Sequence, residues 1–476
     1  MSWDPVIGIE VHVELRTQSK MFCSCAVSFG EDPNTNTCPT CLGLPGALPV
    51  INRSAIEWLV QIGLALGCEI APHSVFHRKS YFYADLPKNY QISQYDLPLC
   101  REGWLDISVD GRMIRVGIER AHMEEDTGKS LHTGAGGRIH SAGLTLLDFN
   151  RSGVPLVEIV SKPDMHSAAE ARAYAQELRN LVAELGVSDA RMEEGSIRFD
   201  ANVSVRPSAY SPLGTKVEIK NMNSFRSLER AVDYEIDRQI KEMEAGGVLV
   251  QETRHWDEEA GITHSMRTKE GSSDYRYFAD PDLSSITLDE SWIDPIRARL
   301  PELPASRRRR VAALGIEGQV LAALTSADPE LRGLFDQTVA IGADPVITAN
   351  WVTGEITALF RRQGHLLSAR DLGELIGMIA DGVISVSAAK DVLVRVMAGE
   401  GSPSAVVQAH DLGQTSDESA IGPVVDEVLA ANAEALERYR RGEEKVLSFL
   451  VGRVMQATKG KADPKLVNQI LRQRLQ

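Results

Sequence analysis

No stretch of the chain is apolar for long enough to cross a bilayer, and no signal-peptide core stands near its start, so a cytoplasmic protein is expected. Positive charge is in short supply: 51 Lys and Arg face 66 Asp and Glu, for a net charge of −15. That balance excludes a protein that coats nucleic acid non-specifically, while leaving room for a local basic surface. Cysteine is sparse, six in 476 residues, and in a reducing compartment a disulfide framework is excluded. A complete phosphate loop is also missing. Gly128-Lys129-Ser130 looks like the end of one, but the position that needs the first glycine is Met123, and the residues between are acidic.

What is present is a soluble globular composition, 43% hydrophobic and 25% charged, in a chain too long for one core, so two or three domains are expected. Four of the six cysteines fall in two close pairs, Cys23-Ser-Cys25 and Cys38-Pro-Thr-Cys41. Two thiolate pairs at this spacing suit a tetrahedral zinc. With all four positions taken by protein, such a zinc is structural. Cys68 and Cys100 have no partner at ligand spacing and read as core.

The segment Ile7 to Leu15 alternates strictly between apolar and ionisable residues. As a strand it sends Ile9, Val11, Val13 and Leu15 to one face and Glu10, His12 and Glu14 to the other. Further strands carry carboxylates in apolar surroundings: Ile114 to Asp126, ending in His122-Met-Glu124-Glu125-Asp126; Leu156 to Val160 around Glu158; Ile197 to Arg206; and Val217 to Lys220 with Glu218. A lone buried carboxylate is costly, whereas several from separate strands converge naturally on a divalent cation and phosphate. Glu10, His12, Glu125, Glu158 and Glu218 are therefore the candidate magnesium site, and the first four of them the candidate catalytic set. Between the helix read at Ser54 to Gly67 and these strands lies His77 to Tyr95, mixing cations, rings and amides. Lys79, Tyr81 and Lys88 within it are the candidates for a nucleotide, with lysines on phosphate and rings against a base.

Strands interleaved with a few helices over the first 290 or so residues give an α+β domain with a mostly antiparallel sheet. Helical periodicity takes over afterwards. Expected boundaries are 1–292, 293–405 and 406–476. In the last segment the charge reverses: Arg438, Arg440, Arg441, Lys459, Lys461 and Lys465 lead a basic stretch that could hold RNA phosphates.

Long motifs carry a resemblance. Ile7 to Leu15, Cys38-Pro-Thr-Cys-Leu-Gly-Leu-Pro-Gly46, Tyr81-Phe-Tyr-Ala-Asp-Leu-Pro-Lys88 and Asp148-Phe-Asn-Arg-Ser-Gly-Val-Pro-Leu-Val-Glu-Ile159 resemble the B subunit of bacterial aspartyl/glutamyl-tRNA amidotransferases. Asn221 to Phe225, Tyr275 to Leu283 and Ala457 to Pro464 extend the likeness over essentially the whole chain. The resemblance implies a cradle domain related to glutamine synthetase, a helical domain and a small helical tail, whose basic stretch would bind tRNA. It implies transamidation of Glu-tRNA(Gln) or Asp-tRNA(Asn): ATP phosphorylates the side-chain carboxylate and ammonia displaces phosphate. A partner amidase (glutaminase) subunit would supply the ammonia, and a small third subunit would complete a heterotrimer. This chain shows no amidase signature and should have no glutaminase of its own. The competing reading is a stand-alone glutamine-synthetase-like ligase acting on a small amino acid, and the basic tail argues against it. A zinc-knuckle RNA scaffold would leave the carboxylates unexplained.

Overall fold

The structure, a computed structural model, describes residues 3–133, 143–268, 275–414, 418–440, 443, 445–458 and 461–475. Two compact units, Met1–Ala305 and Ser306–Gln476, make up the chain.

In the first unit the alternating segment forms the strand Asp4–Glu14. Ile7, Ile9, Val11 and Val13 are at most 1% exposed, each contributing about 1.5–3 kcal/mol of burial. The strand pairs antiparallel with Pro155–Ser161 on one side and Ile197–Arg206 on the other. Outward from Pro155–Ser161 the twelve-stranded sheet continues through Arg112–Glu125, Tyr90–Ser93 and His77–Ser80. Outward from Ile197–Arg206 come Val217–Lys220, Glu252–Asp257 and Ile262–Thr268. The pairing of Val217–Lys220 with Glu252–Asp257 is parallel and the neighbouring ladders are antiparallel. This is the expected α+β class.

Helices Arg53–Ala65, Ala168–Leu185 and Phe225–Glu244 supply the apolar cover, with Leu59, Tyr174, Leu178 and Val232 in the shared core. Ser167 and Ser224 cap the second and third through their side chains. The first is capped by Asn52, which accepts from the Ser54 and Ala55 N–H groups, ahead of the helix start expected at Ser54. Asparagine two residues earlier reaches the free amides that a helical Ser54 cannot.

Residues directly opposite in a ladder share a face. His12 lies opposite Glu158 on one side and Arg198 on the other, and Glu158 lies opposite His122. Ser93 faces Glu124, and Gln91 faces Lys79. The register thus assembles one continuous polar floor from six strands on the sheet face away from the core.

Helix Glu290–Ala298 inserts Ile293 and Ile296 into the first core, so the first unit runs past the boundary expected at 292. The described residues of the second unit are helical and hold two cores, one from Val311 to Val407 and one from Ile421 to Leu475. The boundary expected at 405 falls inside helix Pro403–Ala409, whose Val406 and Val407 pack in the former core. No helix among the described residues is long and apolar enough to cross a membrane.

Candidate active site

Three side chains from three adjacent strands meet on the polar floor. Ligand atoms of His12, Glu124 and Glu158 all lie within 4.8 Å of one another, a spacing that could hold a metal ion. His12 Nε2 stands 3.5 Å from Glu158, and His122 Nε2 stands 3.6 Å from Glu124 and 3.8 Å from Glu158. Glu124 is fixed by its neighbours: Ser93 donates its hydroxyl at 2.8 Å and Gln91 its amide at 3.0 Å. Arg120 approaches Glu158 at 3.8 Å.

The electrostatics follow from burying opposite charges together. Burial pushes Glu158 up, but the His122 charge, the His12 hydrogen bond and Lys79 hold it well below the usual carboxylate range. Burial likewise opposes ionisation of Glu124, and the Lys79 charge overrides it. Burial alone would lower His12. Its hydrogen bond to Glu158 and the negative charges around it raise it instead. Lys79 is pulled down by burial and raised on balance by Glu124 and its surroundings. Its ammonium sits 5.3 Å above the Tyr275 ring and enters no ion pair among the described residues. Tyr81 packs edge-on against Tyr83 and Tyr275 and shares a hydrogen bond with Gln91, which lines the same floor.

The structure separates the other expected residues from this cluster. Glu125 follows Glu124 on one strand, so its side chain leaves by the opposite face. There it forms a buried ion pair with Lys88 and accepts the Ile92 N–H at 2.9 Å. Lys88 is therefore neutralised rather than open to a phosphate. Glu10 shares the floor with His12 but accepts from Asn202 at 2.8 Å. Glu218 accepts from Thr253 at 2.7 Å and lies 3.4 Å from Lys220. Glu124 and His122, which the sequence reading passed over as ligands, take the inner places. The alternation of Arg120, His122 and Glu124 with apolar Ala121 and Met123 was the available signal.

Beside the cluster lies a second ionic group. Asp126 is held by Arg198 at 2.8 Å and Arg151 at 3.6 Å, and Glu14 hydrogen-bonds to it. Burial and the Asp126 charge push Glu14 up to about 8, whereas the two arginines hold Asp126 far down against its own burial.

Cys23, Cys25, Cys38 and Cys41 converge as their spacing predicts, with ligand atoms within 4.8 Å of each other, and so could hold a metal. The Cys38 N–H donates to Cys41 Sγ at 3.1 Å. The Cys23 hydrogen bond pulls the Cys41 thiol down to about 4 despite its burial.

In the tail, much of the positive charge is internally matched. Arg438 pairs with Glu443 at 2.8 Å, Lys461 with Asp411, and Arg474 with Asp426 at 3.0 Å. Arg441 and Lys459 lie outside the described residues, as does the side chain of Arg440. Lys465, Gln469 and Arg472 form an exposed face of helix Pro464–Leu475.

Residues 5–294 match the family model described as the GatB/GatE catalytic domain, and 333–475 match the one described as the GatB domain. The chain belongs to the GatB family. A relative from Moorella thermoacetica is 50% identical over all of both chains. One from Thermosynechococcus vestitus is 49% identical over all of this chain and 97% of its own, and one from Thermobifida fusca is 48% identical over 99% and 94%. Each of these three is named as the B subunit of an aspartyl/glutamyl-tRNA(Asn/Gln) amidotransferase. The GatB matches thus span both the strand-rich unit and the helical one.

Proposed function

We propose that this chain is the transamidating subunit that turns Glu-tRNA(Gln), Asp-tRNA(Asn) or both into the amidated product. The observation that carries the reading is the buried His12–Glu124–Glu158 cluster with Lys79 beside it. A carboxylate does not accept ammonia until one oxygen becomes a good leaving group, which ATP supplies by phosphorylation. Two anions must then approach, and the site needs fixed positive charge where they meet.

The residues present fit such a task. Glu124 and Glu158 offer carboxylate oxygens suited to Mg²⁺, and His12 offers an imidazole nitrogen. When bound there, Mg²⁺ supplies charge neutralisation of the transferring phosphoryl group. Ser93, Gln91 and His122 keep the two carboxylates ionised and oriented. Lys79, with no carboxylate within ion-pair distance among the described residues, is placed to meet an anionic oxygen of the nucleotide or of the acceptor, and Tyr81 flanks it. Glu10 would orient the floor through Asn202 rather than bind the ion.

Zinc is the ion we assign to the four cysteines, in a structural role. The tail supplies tRNA contacts through Lys465 and Arg472. The relatives are named as one subunit of an enzyme, which requires some assembly. An amidase-type glutaminase and a small third polypeptide would be this chain's partners, in a cytoplasmic heterotrimer. A stand-alone ligase on a small amino acid is the lesser reading.

The test supplies ammonium chloride in place of the partner's ammonia. With ATP, Mg²⁺ and Glu-tRNA(Gln) or Asp-tRNA(Asn), the intact complex should form amidated tRNA and release ADP. His12→Ala should abolish both while leaving glutamine hydrolysis in place. ATP cleavage driven equally well by free glutamate would sink the reading.

A further inference from the structure

Lys20 is fully buried, and the chemistry above makes no use of it. Its ammonium donates to the Asn36 carbonyl at 2.8 Å, to the Phe149 carbonyl at 3.3 Å, and to Cys41 Sγ at 3.7 Å. Among the described residues no carboxylate comes within ion-pair distance of it. A buried ammonium needs opposite charge, not only dipoles, because its lost hydration is worth several kcal/mol. The anion within reach is sulfur.

We propose that Lys20 is the buried countercation of a metal–tetrathiolate at Cys23, Cys25, Cys38 and Cys41. The inference rests on the metal reading of that cluster. Four thiolates on a divalent ion leave two excess negative charges, and one ammonium in contact with Cys41 halves them. The same N–H···S contact withdraws electron density from Cys41, which suits a sulfur that holds an ion rather than one that reacts.

The position also explains what the metal holds. Through the Phe149 carbonyl, Lys20 ties the cysteine loops to the segment Phe149–Val154. That segment returns the contact: Ser152 donates its hydroxyl to the Cys41 carbonyl at 3.3 Å, and the Met21 N–H donates to the Gly153 carbonyl at 2.8 Å. Gly153 has φ +86°, and a Cβ there would stand 3.5 Å from Cys41 Cβ and 3.6 Å from Lys20 Cδ. The backbone thus passes close to both Cys41 and the lysine stem, in a conformation suited to glycine. One residue earlier, on the same segment, is Ser152, and next to it Arg151, which holds Asp126. Lys20 is a positioning residue in this scheme.

The test uses the full chain in its complex and begins with zinc content. Wild-type protein without zinc overturns the metal reading itself. With zinc present, Lys20→Met keeps the stem's volume and removes the charge. Zinc transfer to a chromogenic chelator should then become about 10- to 100-fold faster. In cobalt-substituted protein the sulfur-to-metal charge-transfer band should move to lower energy, because Cys41 regains electron density. Lys20→Met should also lower the Tm of zinc-loaded protein. If Lys20→Met does not fold, Lys20→Gln, which keeps a donor for the two carbonyls, takes its place in all three measurements. Unchanged zinc release and an unmoved cobalt band, with zinc bound, overturn the inference while sparing the metal reading.

Discussion

Replacing Glu124 by glutamine separates the metal role of this carboxylate from its packing role. The side chain keeps its shape, its carbonyl oxygen still accepts from Gln91, and its new amide can donate to Ser93 Oγ, which is free to act as acceptor. Apart from the lost attraction to Lys79 and His122, the fold should therefore change in stability by no more than about 1 kcal/mol. The charge is a different matter. Two unit charges about 4 Å apart interact by roughly 4 kcal/mol at an effective dielectric near 20. A divalent ion doubles the gross attraction, and its own hydration offsets most of that. A net loss of about 1.4–4 kcal/mol remains, or ten- to a thousandfold in Mg²⁺ affinity.

The assay is amidated tRNA formed by the reconstituted complex as Mg²⁺ is titrated, with glutamine hydrolysis followed in parallel. Glu124→Gln should shift the Mg²⁺ midpoint upward by that factor, and glutaminase turnover should persist. Glu125→Gln is the contrast. It breaks a buried pair whose side chains are 7% and 4% exposed, leaving the Lys88 ammonium uncompensated. That should cost about 3–5 kcal/mol of stability without moving the Mg²⁺ midpoint. If Glu125→Gln shifts the midpoint and Glu124→Gln does not, the assignment of the cluster is wrong.

Three further outcomes are expected. Cys38→Ser should lower bound zinc from one per chain and reduce the Tm, since structural zinc contributes folding free energy; elemental analysis showing no zinc in unchelated wild-type protein would refute this. Glu14 has a folded-state value of about 8, above its unfolded one, so its contribution to stability is complete at low pH and is lost as pH rises through 8. Glu14→Gln, which donates to Asp126 as the protonated acid does, should match wild type at low pH, gain in relative Tm as pH rises to about 8 and level off above it; parallel Tm profiles would contradict the pairing. Lys465→Glu with Arg472→Glu should weaken tRNA binding and reduce the slope of log affinity against log salt by about 2, with ATP chemistry intact at high tRNA concentration; an unaltered slope assigns the tail another task.

Much of the first unit is legible in the amino-acid sequence. Strict alternation from Ile7 to Leu15 determines which side chains are buried, because a strand allows only two faces. The four cysteines converge because their local spacing already brings each pair together. The run His122-Met-Glu124-Glu125-Asp126 was not legible in the same way, since all five residues are buried and local pattern cannot say which carboxylate faces which neighbour. The ladder decides it. Glu158 opposite His122 places Glu124 inside the cluster and turns Glu125 toward Lys88. Tertiary pairing likewise decided which of two equivalent-looking lysines keeps an open charge, and how much of the basic tail is matched by its own acids. Lys20 is the extreme case. Nothing in the sequence distinguishes it from a surface lysine, because burial of an ammonium against sulfur comes from segments 16 and 129 residues away meeting at one nitrogen.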